Sequence, residues 1–166
     1  VERLKKDFPI VIDEAMKVTS YGSLLKVCKD LLHEKIPIID MLTIIEAVAD
    51  IAEFTKAPEI LLEHVRAKLF RLITQKFKDT DGVLHIVTIK PELEQQFIGK
   101  LQEHHGVSQL MISIAEINNL VTKTKKLLDD IEAKGFSKIT MVVDPVLRKR
   151  ISEIYEKFGL QVSVLS

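Results

Sequence analysis

The chain has 166 residues, 46% of them hydrophobic, so it can bury a sizeable core and fits one domain or two small ones. Lysine plus arginine balances aspartate plus glutamate at 24 each, 13 against 13 as far as Thr80 and 11 against 11 beyond it; a nucleic-acid binder would carry a basic excess on at least one module. A single cysteine, Cys28, excludes an internal disulfide and suits a reducing cytosol, and no run approaches the roughly 20 apolar residues that span a bilayer.

The chain opens within a charged helical pattern, VERLKKDF, and closes within an apolar strand pattern, so a piece of a larger protein is expected. Leu24, Val27, Cys28, Leu31 and Leu32 fall at helical spacing and form one apolar stripe, with Ser23 as the expected cap. That helix is expected to stop at Ile36 and Pro37, because proline lacks the donor for a further turn and biases its predecessor toward extended geometry. A second helix begins around Asp40. Met41, Ile44, Ile45, Val48 and Ile51 lie on one face with Leu42, Ala49 and Ala52 beside them, leaving Glu46, Asp50 and Glu53 as its clearly polar positions. It should be the buried helix of this half. Pro58 stands in the first turn of a third, in which Ile60, Leu61, Val65, Leu69, Leu72 and Ile73 stay in phase to about Phe77.

Asp79, Thr80, Asp81 and Gly82 form a turn cluster, after which the hydrophobic period changes. VLHIVTI, residues 83–89, is a β-branched strand run. Pro91 opens a helix expected to reach about His105, and Ser113 caps another that runs to Lys134 and ends at Gly135. KITMVV at 138–143 reads as a buried strand. Asp144 and Pro145 begin an amphipathic helix that Gly159 stops, and LQVSVL is the last strand. Strand, helix, strand in this order implies a right-handed parallel crossover. The expected fold class is mixed α+β: an all-helical subdomain over residues 1–78, then a small α/β subdomain over residues 79–166 with a short, partly parallel sheet.

Few residues suggest chemistry. His104 and His105 would sit at a helix end with no further ligand at zinc-like spacing. Cys28 and His33 lie off one face, His85 can point to either side of its strand, and His64 and Arg66 read as a solvated helix face around Val65. Lys123 to Lys126 and Arg148 to Arg150 are basic clusters with acids such as Asp129, Asp130 and Glu153 at helical spacing, and they too read as solvated. The six glycines include no phosphate loop, and no GxSxG elbow appears. No cofactor and no metal are expected. Asp144, at the carboxyl end of KITMVV, stands where a small ligand could bind, though as a carboxylate it suits capping better than an anion site. The helices flanking Pro37 invite a helix-turn-helix assignment, but the second offers apolar side chains and acids where base edges require polar and basic ones.

LLHEKIPIIDMLTIIEAVAD from Leu31 to Asp50, KAPEIL from Lys56 to Leu61 and VRAKLFRLITQ from Val65 to Gln75 resemble the FlhA (FHIPEP) family, the export-gate proteins of flagellar type III secretion. DPVLRKRISEIYEKFG and the terminal SVLS extend the resemblance over nearly the whole chain. Ile39 stands where arginine is usual in the family, Asp30 where asparagine is common and Cys28 where leucine is common. The resemblance implies the third and most of the fourth subdomain of a cytoplasmic part that assembles as a ring beneath the export channel. It implies a non-enzymatic docking platform on the cytoplasmic side of the bacterial inner membrane. The implied partners are other copies of the parent in a homo-oligomeric ring, export chaperones and substrates, and the export ATPase complex; membrane contact would come through an N-terminal region outside this chain. The family's chaperone dimple lies in earlier subdomains, so none of its residues is assigned here. Glu46, Asp50, Glu63 and Arg66 are the candidate subunit-interface residues. Two other readings compete: a small α/β enzyme with a site near Asp144, and a helix-turn-helix regulator.

Overall fold

The computed structural model describes residues 1–104, 107–136 and 138–166, the side chain of His104 excepted. These form two compact units, Val1–Ile73 and Thr74–Ser166. The division falls inside the helix Phe70–Phe77 and so precedes the Asp79–Gly82 turn at which the sequence period changes.

The first unit is helical: α1 (Glu2–Asp7), α2 (Pro9–Val18), α3 (Tyr21–His33), α4 (Met41–Ala52), α5 (Pro58–Lys68) and the start of α6 (Phe70–Phe77). Pro9 separates α1 from α2, taking the first helical position where its missing N–H costs nothing. The cap of α3 is Ser20, whose Oγ accepts from the Ser23 amide at 3.1 Å, and not Ser23. The apolar stripe misled here because it marks the buried face, and the helix begins a turn before that face does. Leu24, Val27 and Leu31 are buried, whereas Leu32 is exposed and Cys28 half-buried.

Nor does α3 run to Pro37. It ends at His33 because Lys35 turns left-handed at φ 59°, which lets the Lys35 amide donate to Leu32 O and the Ile36 amide to Leu31 O at 2.9 and 2.8 Å. These two bonds, with Ile36 buried as Leu31 is, make the Schellman arrangement that ends helices without proline. Pro37 then keeps the connection extended. Asp40 caps α4, its carboxylate accepting from the Thr43 amide and hydroxyl at 3.2 and 2.8 Å. Ile44, Ile45, Ala47, Val48 and Ala52 of α4 are buried, and the helix packs against α2 and α5. The expected single helix over 58–77 is instead broken at Leu69, where ψ is 13°, giving α5 and α6. Ile60, in phase with the stripe, is exposed.

The second unit contains the rest of α6, β1 (His85–Thr88), α7 (Pro91–Ile98), β2 (Leu101–His104), β3 (Val107–Leu110), α8 (Ile114–Glu132), β4 (Ile139–Val142), α9 (Pro145–Lys157) and β5 (Ser163–Leu165). Its three-stranded sheet has the order β1-β4-β5 and is parallel throughout, while β2 and β3 form a separate antiparallel pair. The helix from Pro91 stops at Ile98 rather than near His105; residues 101–104 and 107–110 are strands instead. Four-residue strands with one or two apolar positions each give too little alternation to distinguish them from a helix continuing in phase. Ser113 and Glu116 form a reciprocal capping box at the start of α8. Gly159, at φ 67°, ends α9 as Lys35 ends α3, with the Leu160 amide donating to Tyr155 O at 2.8 Å. Phe97, Leu120, Met141, Val143, Leu147, Ile151, Tyr155 and Val164 build the core against the sheet.

Candidate functional site

The four candidate interface residues do not share one environment. Glu46 and Asp50 are exposed on α4, and Asp50 pairs with Lys68 of α5 at 3.4 Å. Glu63 is half-buried. Arg66, expected on a solvated face, is only 5% exposed: its guanidinium holds Glu34, just past the end of α3, and Nε lies 3.9 Å from Glu63. Only helical phase was available from the sequence, and Glu34, 32 residues away, gives no periodic signal. A buried guanidinium requires such a partner. Arg66 therefore ties α5 to the end of α3.

His64 beside it is also less solvated than its phase implies. Its Nε2 is buried and has no hydrogen-bond partner among the described residues. His33 is exposed, and burial pushes the thiol of Cys28 upward in pKa, away from the reactive thiolate. His105, together with the side chain of His104, lies outside what the structure describes. Among the described residues no three His, Cys, Asp or Glu side chains gather as metal ligands.

In the second unit, His85 Nε2 lies 2.8 Å from Asp79 Oδ2, and the ring meets Phe136 edge-on with centroids 5.1 Å apart. The other carboxylate oxygen of Asp79 accepts from the amides of Val83 and Asp81. The Val83 amide, then His85, holds the Asp79 carboxyl below its usual range. This pair fastens the turn to the first residue of β1. Asp144 caps α9 through the Val146 amide at 3.0 Å, and its own amide donates to Glu94 Oε1 at 2.8 Å. Two carboxylates at that strand end favour a capped helix over an anion site. Of the second basic cluster, Arg150 meets Glu153 at 2.8 Å, but Arg148 is 1% exposed and belongs to the interior rather than to a solvated face.

Exposed apolar side chains are the more prominent surface feature of the helical unit. Ile39 projects at 79% exposure from the segment between α3 and α4, and Phe54 at 82% from the end of α4. Both lie on connections, where burial within the unit is not required of them.

The FHIPEP family profile matches residues 1–166. Over 167 aligned residues the chain is 38% identical to the flagellar biosynthesis protein FlhA of Helicobacter pylori, covering all of this chain and 23% of that protein. The corresponding protein of Borreliella burgdorferi is 31% identical over 82% of this chain and 20% of its own length. The chain thus spans about a quarter of the curated relatives it matches. Among solved structures, the C-terminal domain of InvA superposes with a TM-score of 0.87 at 26% identity, over 99% of this chain and 50% of that one. The nonameric SctV-C of enteropathogenic Escherichia coli gives 0.87 at 19% identity, over 99% and 49%. The CdsV protein of Chlamydia pneumoniae, in a complex with CdsO, gives 0.83 at 22%, over 99% and 48%; these last two establish likeness of fold alone.

Proposed function

The chain belongs to the FHIPEP family, and from that premise we propose that it works as part of a type III export gate, by contact rather than by catalysis. The observation that carries this reading is the match over all 166 residues, with a helical unit followed by an α/β unit in the order of the export-gate relatives. The helical unit would be the third subdomain and the α/β unit most of the fourth. They would lie on the cytoplasmic side of the bacterial inner membrane, joined to membrane-spanning segments elsewhere in the parent; among the described residues no helix is long and apolar enough to cross a membrane.

In this reading the helical unit contributes contacts between neighbouring copies of the parent in a ring. Glu46 and Asp50 would form a charged rim on α4, while Glu63 and Arg66 would act from α5, where Arg66 holds Glu34. Rim charges of this kind fix register and partner choice more than affinity. Exposed Ile39 and Phe54, beyond the two ends of α4, would supply apolar anchors on either side of these charges. The α/β unit would meet export chaperones, their substrates and the export ATPase complex. The nonameric assembly of SctV-C and the complex of CdsV with CdsO are precedents, by analogy of fold, for a ring and for a protein partner, without assigning either to one unit.

The test is a photo-cross-linking residue in place of Glu46 in the full-length parent, in cells with a working export apparatus. Capture of a neighbouring copy is expected. An export-competent parent that never cross-links to another copy from position 46 contradicts the assignment of this face.

A further inference from the structure

In the helical unit, α3 carries apolar side chains on two faces. Leu24, Val27 and Leu31 are buried, and the helix packs against α5. Tyr21, Leu25 and Leu32, each more than half exposed, form a second row with half-buried Cys28 between the leucines. The four residues follow one another at intervals of four, three and four, the alternation of a coiled-coil seam, which keeps them within one narrow arc of the helix. A surface helix that serves only its own core needs a single apolar stripe, with polar residues opposite. We propose that the second row of α3 docks an acidic amphipathic helix of another protein.

Spacing selects the shape of the partner. A helix with apolar residues at the same alternation stays in step with the row over its whole length, whereas a strand, with its two-residue period, falls out of step. Tyr21, at one end of the row, is the kind of large amphipathic side chain that anchors such contacts. Charge selects the sign. Along the solvent side of the row stand Lys26, Lys29 and His33, all exposed. Asp30, the one acid of α3, pairs with Lys26 at 3.3 Å, and Lys29 has no ion-pair partner among the described residues. Glutamate or aspartate flanking the apolar residues of the partner would meet Lys29 and fix register. A second copy of α3 running antiparallel would instead set one basic border against another. The proposal goes beyond the export-gate reading and does not depend on it, since it rests on α3 alone.

The experiment titrates the ¹⁵N-labelled chain with a capped helical peptide that has leucine at the alternating three- and four-residue spacing and glutamate at the flanking positions, followed by amide chemical shifts. A second peptide replaces each glutamate by lysine. Saturable shifts centred on the amides of α3 are expected with the acidic peptide, and much weaker ones with the basic peptide. Leu25→Asp should weaken the acidic peptide more than tenfold, because it removes an apolar anchor from the middle of the row. Lys29→Glu should weaken it about fivefold, as one exposed charge pair turns from attraction to repulsion. Both side chains are exposed, so both variants should keep the rest of the spectrum unchanged. Equal binding of the two peptides, shifts that fail to saturate, or undiminished affinity in Leu25→Asp overturns the proposal. Shifts of the same amides with chain concentration, in the absence of peptide, would make a second copy the occupant and overturn it as well. So would a photo-cross-linking residue in place of Lys29 of the full-length parent that reacts only within its own polypeptide, since the row would then be covered internally.

Discussion

Arg66 and Glu116 illustrate how differently two charged residues can serve the same chain. Arg66 is buried with Glu34 and Glu63 as partners, so Arg66→Ala should lower the free energy of unfolding by about 3 kcal/mol, chiefly by stranding carboxylates that the guanidinium compensates. Glu14→Ala, which deletes an exposed pair with Lys17, should leave the urea midpoint unchanged. Glu116 acts through pH. Its carboxylate meets Lys100 at 2.5 Å and the Ser113 amide and hydroxyl at 2.9 Å, and these, Lys100 first, bring its pKa down from 4.5 to about 2. A folded-state pKa below the unfolded one gives stability that is complete above the unfolded value and lost as pH falls through the folded one. Acid unfolding should therefore steepen between about pH 4.5 and 2, and Glu116→Gln should flatten that dependence, as measured by circular dichroism across the range. An unchanged acid profile in Glu116→Gln would show that the carboxylate contributes nothing through its charge.

At the scale of the element, the apolar faces and the caps decide stability. Leu31 and Ile45 are fully buried, and truncating either to Ala should cost about 2 to 5 kcal/mol in denaturant unfolding. Gly159→Ala is a sharper test, because a Cβ there meets nothing within 4 Å, so any loss is purely conformational. At φ 67° that loss should be about 1 kcal/mol, and a neutral result would mean that the end of α9 tolerates an ordinary residue. Most helix starts could be read from the sequence, since Asp40, Ser113, Asp144, Pro58, Pro91 and Pro145 begin helices by local chemistry that needs no tertiary partner. The parallel β4-β5 crossover followed from element order. What could not be read was set by distant neighbours or by weak patterns. The left-handed Lys35 gave no glycine signal, the break at Leu69 interrupts no hydrophobic phase, and the strands β2 and β3 are too short and polar to announce themselves. The buried positions of Arg66 and Arg148 were hidden for a related reason. A long basic side chain looks the same in sequence whether it meets water or a carboxylate 32 residues away.

For the molecule as a whole, composition excluded more than it revealed, and the family words between Leu31 and Gln75 carried the functional reading. The candidate interface was only partly legible: exposure of Glu46 and Asp50 follows from helical phase, whereas the burial of Arg66 against Glu34 does not. A contact function asks for no converging catalytic groups, and it makes the exposed apolar side chains at Ile39 and Phe54 useful. It would also place the activity in an assembly; the chain spans about a quarter of the length of the curated relatives it matches. The most direct test grafts this chain into the Helicobacter pylori relative, replacing the aligned segment to which it is 38% identical, in cells lacking their own copy. The graft should restore secretion of flagellar subunits and motility. A grafted protein that accumulates in the membrane to the parental level and yet exports no flagellar subunit would contradict the account.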